Sequence, residues 1–367
     1  MPIDRFPRPW VVNCRVLLVW GLLAVTAAAQ TTPPYELRPV DLQMIRDAAV
    51  HQELDLTEPQ LAKLQTLLDQ IDPPWFRSRN QPPAQRREVV AEAQRRLARW
   101  VAGDLKSDQS ERFAQLQRQA LGTRMFVRPD VVDRLGLSGP QTDRLIELYQ
   151  STDTQNASLS KQLQNGEVTA AEASSSQSKL QQAERTGVMQ ILTDRQKSQI
   201  GPLTGEPFRL SAIRRTYPRA PNIQTEGAQW IQGGPIDLAD QRGKVVALHF
   251  YAYQCINCIR NLPHYSAWHE DYADKGLVVI GIQTPETPSE RKFDSVAAAV
   301  ARQGITYPVV LDTDSKSWSA YANTMWPTVY LIDKDGYLRR WWQGELNWQG
   351  GNGEQQLRQT IETLLTE

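Results

Sequence analysis

Lys244-Val245-Val246-Ala247-Leu248-His249-Phe250-Tyr251 runs into Ala252-Tyr253-Gln254-Cys255-Ile256-Asn257-Cys258. A continuous apolar run of this length reads as a strand buried on both faces. A helix is expected from the second cysteine through about Ala273. Leu277-Val278-Val279-Ile280-Gly281-Ile282 is a second buried run. Strand, helix, strand is a βαβ unit, with a C-x-x-C pair where the first strand becomes the helix.

That spacing carries a mechanism. Two cysteines three apart at a helix start put one thiol at the exposed tip and the other beneath it. The helix N-terminus stabilises a thiolate at Cys255 and lowers its pKa. Cys255 attacks a partner disulfide, and Cys258 resolves the mixed disulfide. The reverse sequence oxidises a partner dithiol.

Further features lie downstream. Pro263 falls five residues after Cys258, and Trp326-Pro327-Thr328-Val329-Tyr330-Leu331-Ile332-Asp333 leads a loop into a strand. Lys334-Asp335-Gly336 is a hairpin turn into Tyr337-Leu338-Arg339-Arg340-Trp341-Trp342, and a closing helix is expected over Glu354 to Leu365. With these motifs, residues 218–367 resemble a TlpA/ResA-type thiol–disulfide oxidoreductase of the thioredoxin superfamily. Cys255-Ile256-Asn257-Cys258-Ile259-Arg260-Asn261-Leu262-Pro263 and Gly276 to Glu286 are especially similar to the DipZ branch. Trp230 to Leu238 resembles that subfamily's extra N-terminal hairpin. The resemblance implies a cis Trp326–Pro327 bond, a substrate groove shaped by Trp326 and Pro327, and a helix kink at Pro263.

The chain departs from the pattern in three places. His249 stands six residues before the first cysteine, where thioredoxins carry a buried Asp. A neutral His there is a candidate acceptor for the Cys258 proton, and the alternative is a core His with no catalytic role. Asn261 replaces an acidic residue common in ResA-like proteins, and Tyr253-Gln254 replaces the usual aromatic before the pair.

Other chemistries fit less well. A peroxiredoxin needs Pro and Thr/Ser just before its reactive cysteine, and Tyr251-Ala252-Tyr253-Gln254 supplies neither. Haem attachment needs C-x-x-C-H, and Ile259 occupies the His position. His264 and His269, five apart on one helix, are poorly spaced as metal ligands.

The whole chain has 367 residues, room for about two domains. Lys+Arg and Asp+Glu balance at 41 each, which argues against nucleic acid as a partner. Arg5, Arg8 and Arg15 precede the apolar run Val16 to Val25, and Ala27-Ala28-Ala29 follows. This is a secretory signal with cleavage expected after Ala29; an uncleaved anchor is the alternative. Cleavage removes Cys14, three arginines and Asp4, and leaves a net charge of −2 with only Cys255 and Cys258. One close pair in an exported chain reads as a redox pair.

The first half is rich in Gln, Arg, Ala and Leu and reads as helices: Leu61, Leu64, Leu67, Leu68 and Ile71 share helical spacing, as do Val89, Ala93, Leu97 and Trp100. Leu56-Thr57-Glu58-Pro59-Gln60, Leu137-Ser138-Gly139-Pro140-Gln141 and Leu192-Thr193-Asp194-Arg195-Gln196 are capping boxes, with Leu105-Lys106-Ser107-Asp108-Gln109 a fourth, altered copy. They divide the region into two tandem copies, about 47–121 and 131–205. The element is similar to the LTxxQ signature of Spy/CpxP-like periplasmic helical proteins.

The expected organisation is a signal peptide over 1–29, an all-α helical region over 30–205 and a thioredoxin-like α/β domain over 206–367. The expected function is extracytoplasmic exchange of disulfides with protein thiols and an unidentified redox partner, without cofactor or metal. No membrane span is expected after cleavage. The competing reading from another class is a non-enzymatic envelope binding or stress-sensing protein with a redoxin-like docking module, and a peroxiredoxin-like antioxidant ranks below it.

Overall fold

The computed structural model describes residues 35–367; the expected signal segment, with Cys14 and the expected cleavage site after Ala29, lies outside them. Val245–Tyr251 is buried along its whole length, as a doubly covered strand must be. It is β2 of a six-stranded sheet in the order β1-β4-β3-β2-β5-β6. The others are β1 (Gln229–Gln232), β3 (Leu277–Gln283), β4 (Val309–Leu311), β5 (Thr328–Ile332) and β6 (Leu338–Gln343). β2, β3 and β4 run parallel, and β5, β6 and β1 are antiparallel to their neighbours. The segment after Trp230 makes no hairpin; β1 pairs with β4 instead.

Alternation along β2 splits its side chains between two cores. Val245, Ala247 and Tyr251 face the Ile256–Tyr272 helix and the closing Gly353–Thr366 helix, with Cys258, Leu262, Tyr265, Leu357 and Ile361. Val246, Leu248 and Phe250 face the other way, with Tyr321, Tyr330, Ile332 and Leu338.

The helical region is built around Glu58–Arg77, Pro83–Asp104 and Ser107–Leu121, then Gly139–Gln164 and Ala170–Ile191. Its first core joins Leu64, Leu68, Ile71, Leu97, Trp100, Phe113 and Leu116. The capping glutamines do more than close their own helices. Gln60 takes the Thr57 N–H at 3.0 Å and donates to the Gln109 side-chain oxygen at 2.8 Å. Gln109 takes the Lys106 N–H at 2.9 Å and donates to the Leu54 carbonyl at 2.9 Å. The second copy repeats the arrangement: Gln141 takes the Ser138 N–H at 3.1 Å and donates to Gln196 at 2.9 Å. Gln196 takes the Thr193 N–H at 2.9 Å. A shared amide pair joins the two helix starts of each copy, and Gln109 takes its part in it although Lys106 has no cap hydroxyl.

Leu37–Glu367 forms one compact unit. Phe76, at the end of the Glu58–Arg77 helix, is buried in the second core of the sheet, edge-on to Tyr330 and Trp341 at 6.2 and 6.0 Å. No helix among the described residues is long and apolar enough to cross a membrane.

Candidate active site

Cys255 is the N-cap of the Ile256–Tyr272 helix, in extended conformation, and its N–H is held by the Ala252 carbonyl at 3.1 Å. The strand-to-helix turn thus leaves Cys255 half-buried at the helix tip and Cys258 buried one turn below. Both are free thiols. The Cys255 pKa is pulled down to about 7. The main cause is the hydrogen bond from the Cys258 thiol, helped by the N–H groups of Cys258 and Asn257 and opposed by burial and by the Glu286 carboxylate. Burial pushes the Cys258 thiol strongly up, and its bond to Cys255 adds to the rise. The arrangement favours a thiolate at Cys255 near neutral pH and a protonated thiol at Cys258.

The Trp326–Pro327 bond is cis. Trp326 stacks on Trp318 with ring centroids 4.2 Å apart and packs against the same core as Cys255 and Tyr253. Ile256, Ile259 and Met325 are exposed apolar side chains on the two segments that carry the thiols and Pro327. Pro263 lies inside the helix as expected.

His249 is fully buried, stacked on Tyr265 at 4.3 Å. Burial alone lowers its pKa to about 3. A standing protonated form is excluded near neutral pH, so any part it takes in proton movement is as a neutral ring. Asn261, at the position of the expected acid, is fully used in structure. It donates to the Tyr265 hydroxyl at 3.1 Å and the Gly344 carbonyl at 3.2 Å, and takes the Leu346 N–H at 3.0 Å.

Sequence reasoning missed Glu290. Its buried carboxylate takes the N–H groups of Gln254 at 2.9 Å, Glu286 at 2.7 Å and Thr287 at 3.0 Å. It ties the residue before Cys255 to the loop after β3. The signal was present as the capping box Thr287-Pro288-Ser289-Glu290. Among the described residues no group of three or more His, Cys, Asp or Glu is arranged to hold a metal.

A sheet of this order with a C-x-x-C pair at the β2-to-helix turn is a thioredoxin-like domain. Residues 218–341 match the AhpC/TSA family and form its domain at the C-terminal end of this chain. The chain is 46% identical over 115 residues to Protein DipZ of Mycobacterium bovis, covering 31% of this chain and 16% of DipZ. It is 32% identical over 106 residues to the thiol-disulfide oxidoreductase ResA of Bacillus anthracis, covering 29% of this chain and 58% of ResA. A solved thiol-disulfide isomerase from Corynebacterium glutamicum is 21% identical with a TM-score of 0.35, covering 40% of this chain and 97% of that one. The chain thus spans about one sixth of the length of DipZ.

Proposed function

We propose that the chain is an extracytoplasmic thiol–disulfide oxidoreductase acting on protein partners through Cys255 and Cys258. The observation that carries it is the paired environment of the two sulfurs: a half-buried thiol with pKa near 7 over a buried thiol held protonated. The Cys255 thiolate attacks one sulfur of a partner disulfide. An S–S bond forms between Cys255 and the partner, and the other partner sulfur leaves as thiolate. Cys258 then loses its proton and attacks the Cys255 sulfur. The Cys255–Cys258 disulfide closes, the second partner thiolate departs, and two electrons have passed to the partner. An oxidised pair runs the same steps backwards.

Trp326 and Pro327 form the substrate groove in this reading, with the exposed Ile256, Ile259 and Met325 as its apolar rim. The basic and apolar N-terminal segment, with its A-x-A site, supports export. The helical region recruits the partner or holds the protein at an envelope structure. The test is reduction of a generic protein disulfide by the full chain with dithiothreitol as electron source. Turnover abolished by Cys255→Ser is the expected result. Turnover no faster than dithiothreitol alone rejects the assignment.

A further inference from the structure

The segment that carries Trp326 and Pro327 is held at both ends. On the far side the chain enters β5, and the Pro327 carbonyl takes the Gly344 N–H at 2.8 Å. On the near side Thr324 and Met325 are exposed, and the first fixed point is the turn Tyr321-Ala322-Asn323. Ala322 sits there at φ +46°, in the left-handed region. That conformation is costly for a residue with a Cβ and persists where the surroundings over-determine it. Part of the hold comes from the domain itself. The N–H groups of Tyr321, Ala322 and Asn323 donate back to the Ser317, Ser319 and Trp318 carbonyls at 3.1, 3.0 and 3.1 Å. The Asn323 side-chain oxygen takes the Tyr330 hydroxyl at 2.6 Å.

The rest comes from the helical region. The short turn Ser78–Asn80, which directly follows the Glu58–Arg77 helix, supplies donors to both remaining carbonyls. Arg79 Nη2 donates to the Tyr321 carbonyl and to the Tyr330 hydroxyl, the latter at 2.8 Å. Asn80 Nδ2 donates to the Ala322 carbonyl at 2.7 Å. Arg79 is itself preset: Nη1 donates to the Phe76 carbonyl at 2.9 Å, and the guanidinium lies over the Phe76 ring at 3.7 Å. A planar fork fixed in this way has little freedom left to lose and holds its acceptors in one place. The braced stretch also carries the ring that Trp326 leans on. Trp318, in the Lys316–Ala320 helix that leads into the turn, stacks on Trp326 at 4.2 Å.

We propose that Arg79 and Asn80 are positioning residues of the substrate groove: by fixing residues 321–323 they set where Trp326 and Pro327 stand, and with that how well the chain takes a protein disulfide. The proposal rests on the redox reading above and gives the helical region a part in it. Neither residue bonds to either sulfur, so the reactivity of the Cys255 thiolate does not depend on them. What depends on them is the surface against which a partner segment is laid. A small disulfide needs the thiolate alone, whereas a protein disulfide must also be held in line for attack.

The test uses the full chain with Cys14→Ser and two probes. Dithionitrobenzoate reports the reactivity of Cys255, and insulin, reduced with dithiothreitol as electron source, reports use of the groove. Arg79→Ala removes the bonds to Tyr321 and Tyr330, and Arg79→Lys keeps a donor. Asn80→Asp keeps the side-chain shape and removes the donor. In Arg79→Ala and Asn80→Asp the dithionitrobenzoate rate should stay within about twofold of the parent, since that reaction needs only the thiolate. kcat/KM for insulin should fall by about three- to thirtyfold, chiefly through KM, as for residues that act on a site without touching its ligand. Arg79→Lys should recover part of the loss. Insulin kinetics at parent values in both variants, or equal slowing with both probes, overturns the proposal. Insulin reduction by the parent no faster than dithiothreitol alone rejects the redox reading instead. If Arg79→Ala does not fold, Asn80→Asp, at an exposed position, decides alone.

Discussion

Arg79 donates through Nη2 to the Tyr330 hydroxyl at 2.8 Å, joining the end of a helix in the first half of the chain to the middle of β5. The same nitrogen donates to the Tyr321 carbonyl, and Asn80 donates to the Ala322 carbonyl at 2.7 Å. Tyr330 in turn donates to Asn323 at 2.6 Å. The helical region therefore grips the segment 321–323, which leads directly to Trp326 and Pro327. With Phe76 filling the core beside it, the grip makes the helical region part of the sheet's second cover.

Phe76→Ala should destabilise the full chain by about 3–5 kcal/mol, the cost of emptying a buried aromatic site. Arg79→Ala should cost about 1–3 kcal/mol by leaving the Tyr321 and Tyr330 oxygens short of a donor. Urea unfolding of both variants checks this. Wild-type midpoints would show that the contact is not part of the stable fold.

The Gln60–Gln109 pair should matter more than an ordinary cap. Gln109→Ala removes the acceptor for the Lys106 N–H and one of the two acceptors of the Gln60 amide, which keeps the Asp104 carbonyl at 2.8 Å. A loss of about 1–3 kcal/mol is expected by thermal unfolding. Gln155→Ala, at an exposed helix position, should cost far less.

The Cys255 alkylation rate should rise with pH to a midpoint near 7. Cys258→Ala removes the strongest support of the thiolate and should move that midpoint up. Glu286→Gln removes a nearby negative charge and should move it down. Shifts of the opposite sign would contradict the electrostatic account.

His249 links stability to acid. Its folded pKa lies near 3, below its ordinary 6.5. The stability it contributes is complete above 6.5 and is lost as pH falls through the window toward 3. The slope is at most about 1.4 kcal/mol per pH unit. His249→Gln should lose that share of the acid sensitivity. Parallel pH–stability curves for the two proteins would show that His249 is not held neutral by burial.

Much of the redox half was legible because its signals are local. A buried run, a C-x-x-C turn and a second buried run define β2, the helix and β3 without reference to distant residues. The capping boxes were legible for the same reason. What spacing could not convey is which distant groups meet. Gln60 and Gln109 are 49 residues apart, and Arg79 and Tyr330 are 251 apart. Glu290 announced itself only as a helix cap, while its bond to Gln254 needs the fold.

Trapping measures the central claim most directly. The full chain carrying Cys14→Ser and Cys258→Ala is mixed with a disulfide-bonded protein, quenched in acid and mapped by mass spectrometry. A stable mixed disulfide through Cys255, absent when Cys258 is restored, is the result this account requires. An unmodified Cys255 after prolonged exposure at pH 8 would contradict it.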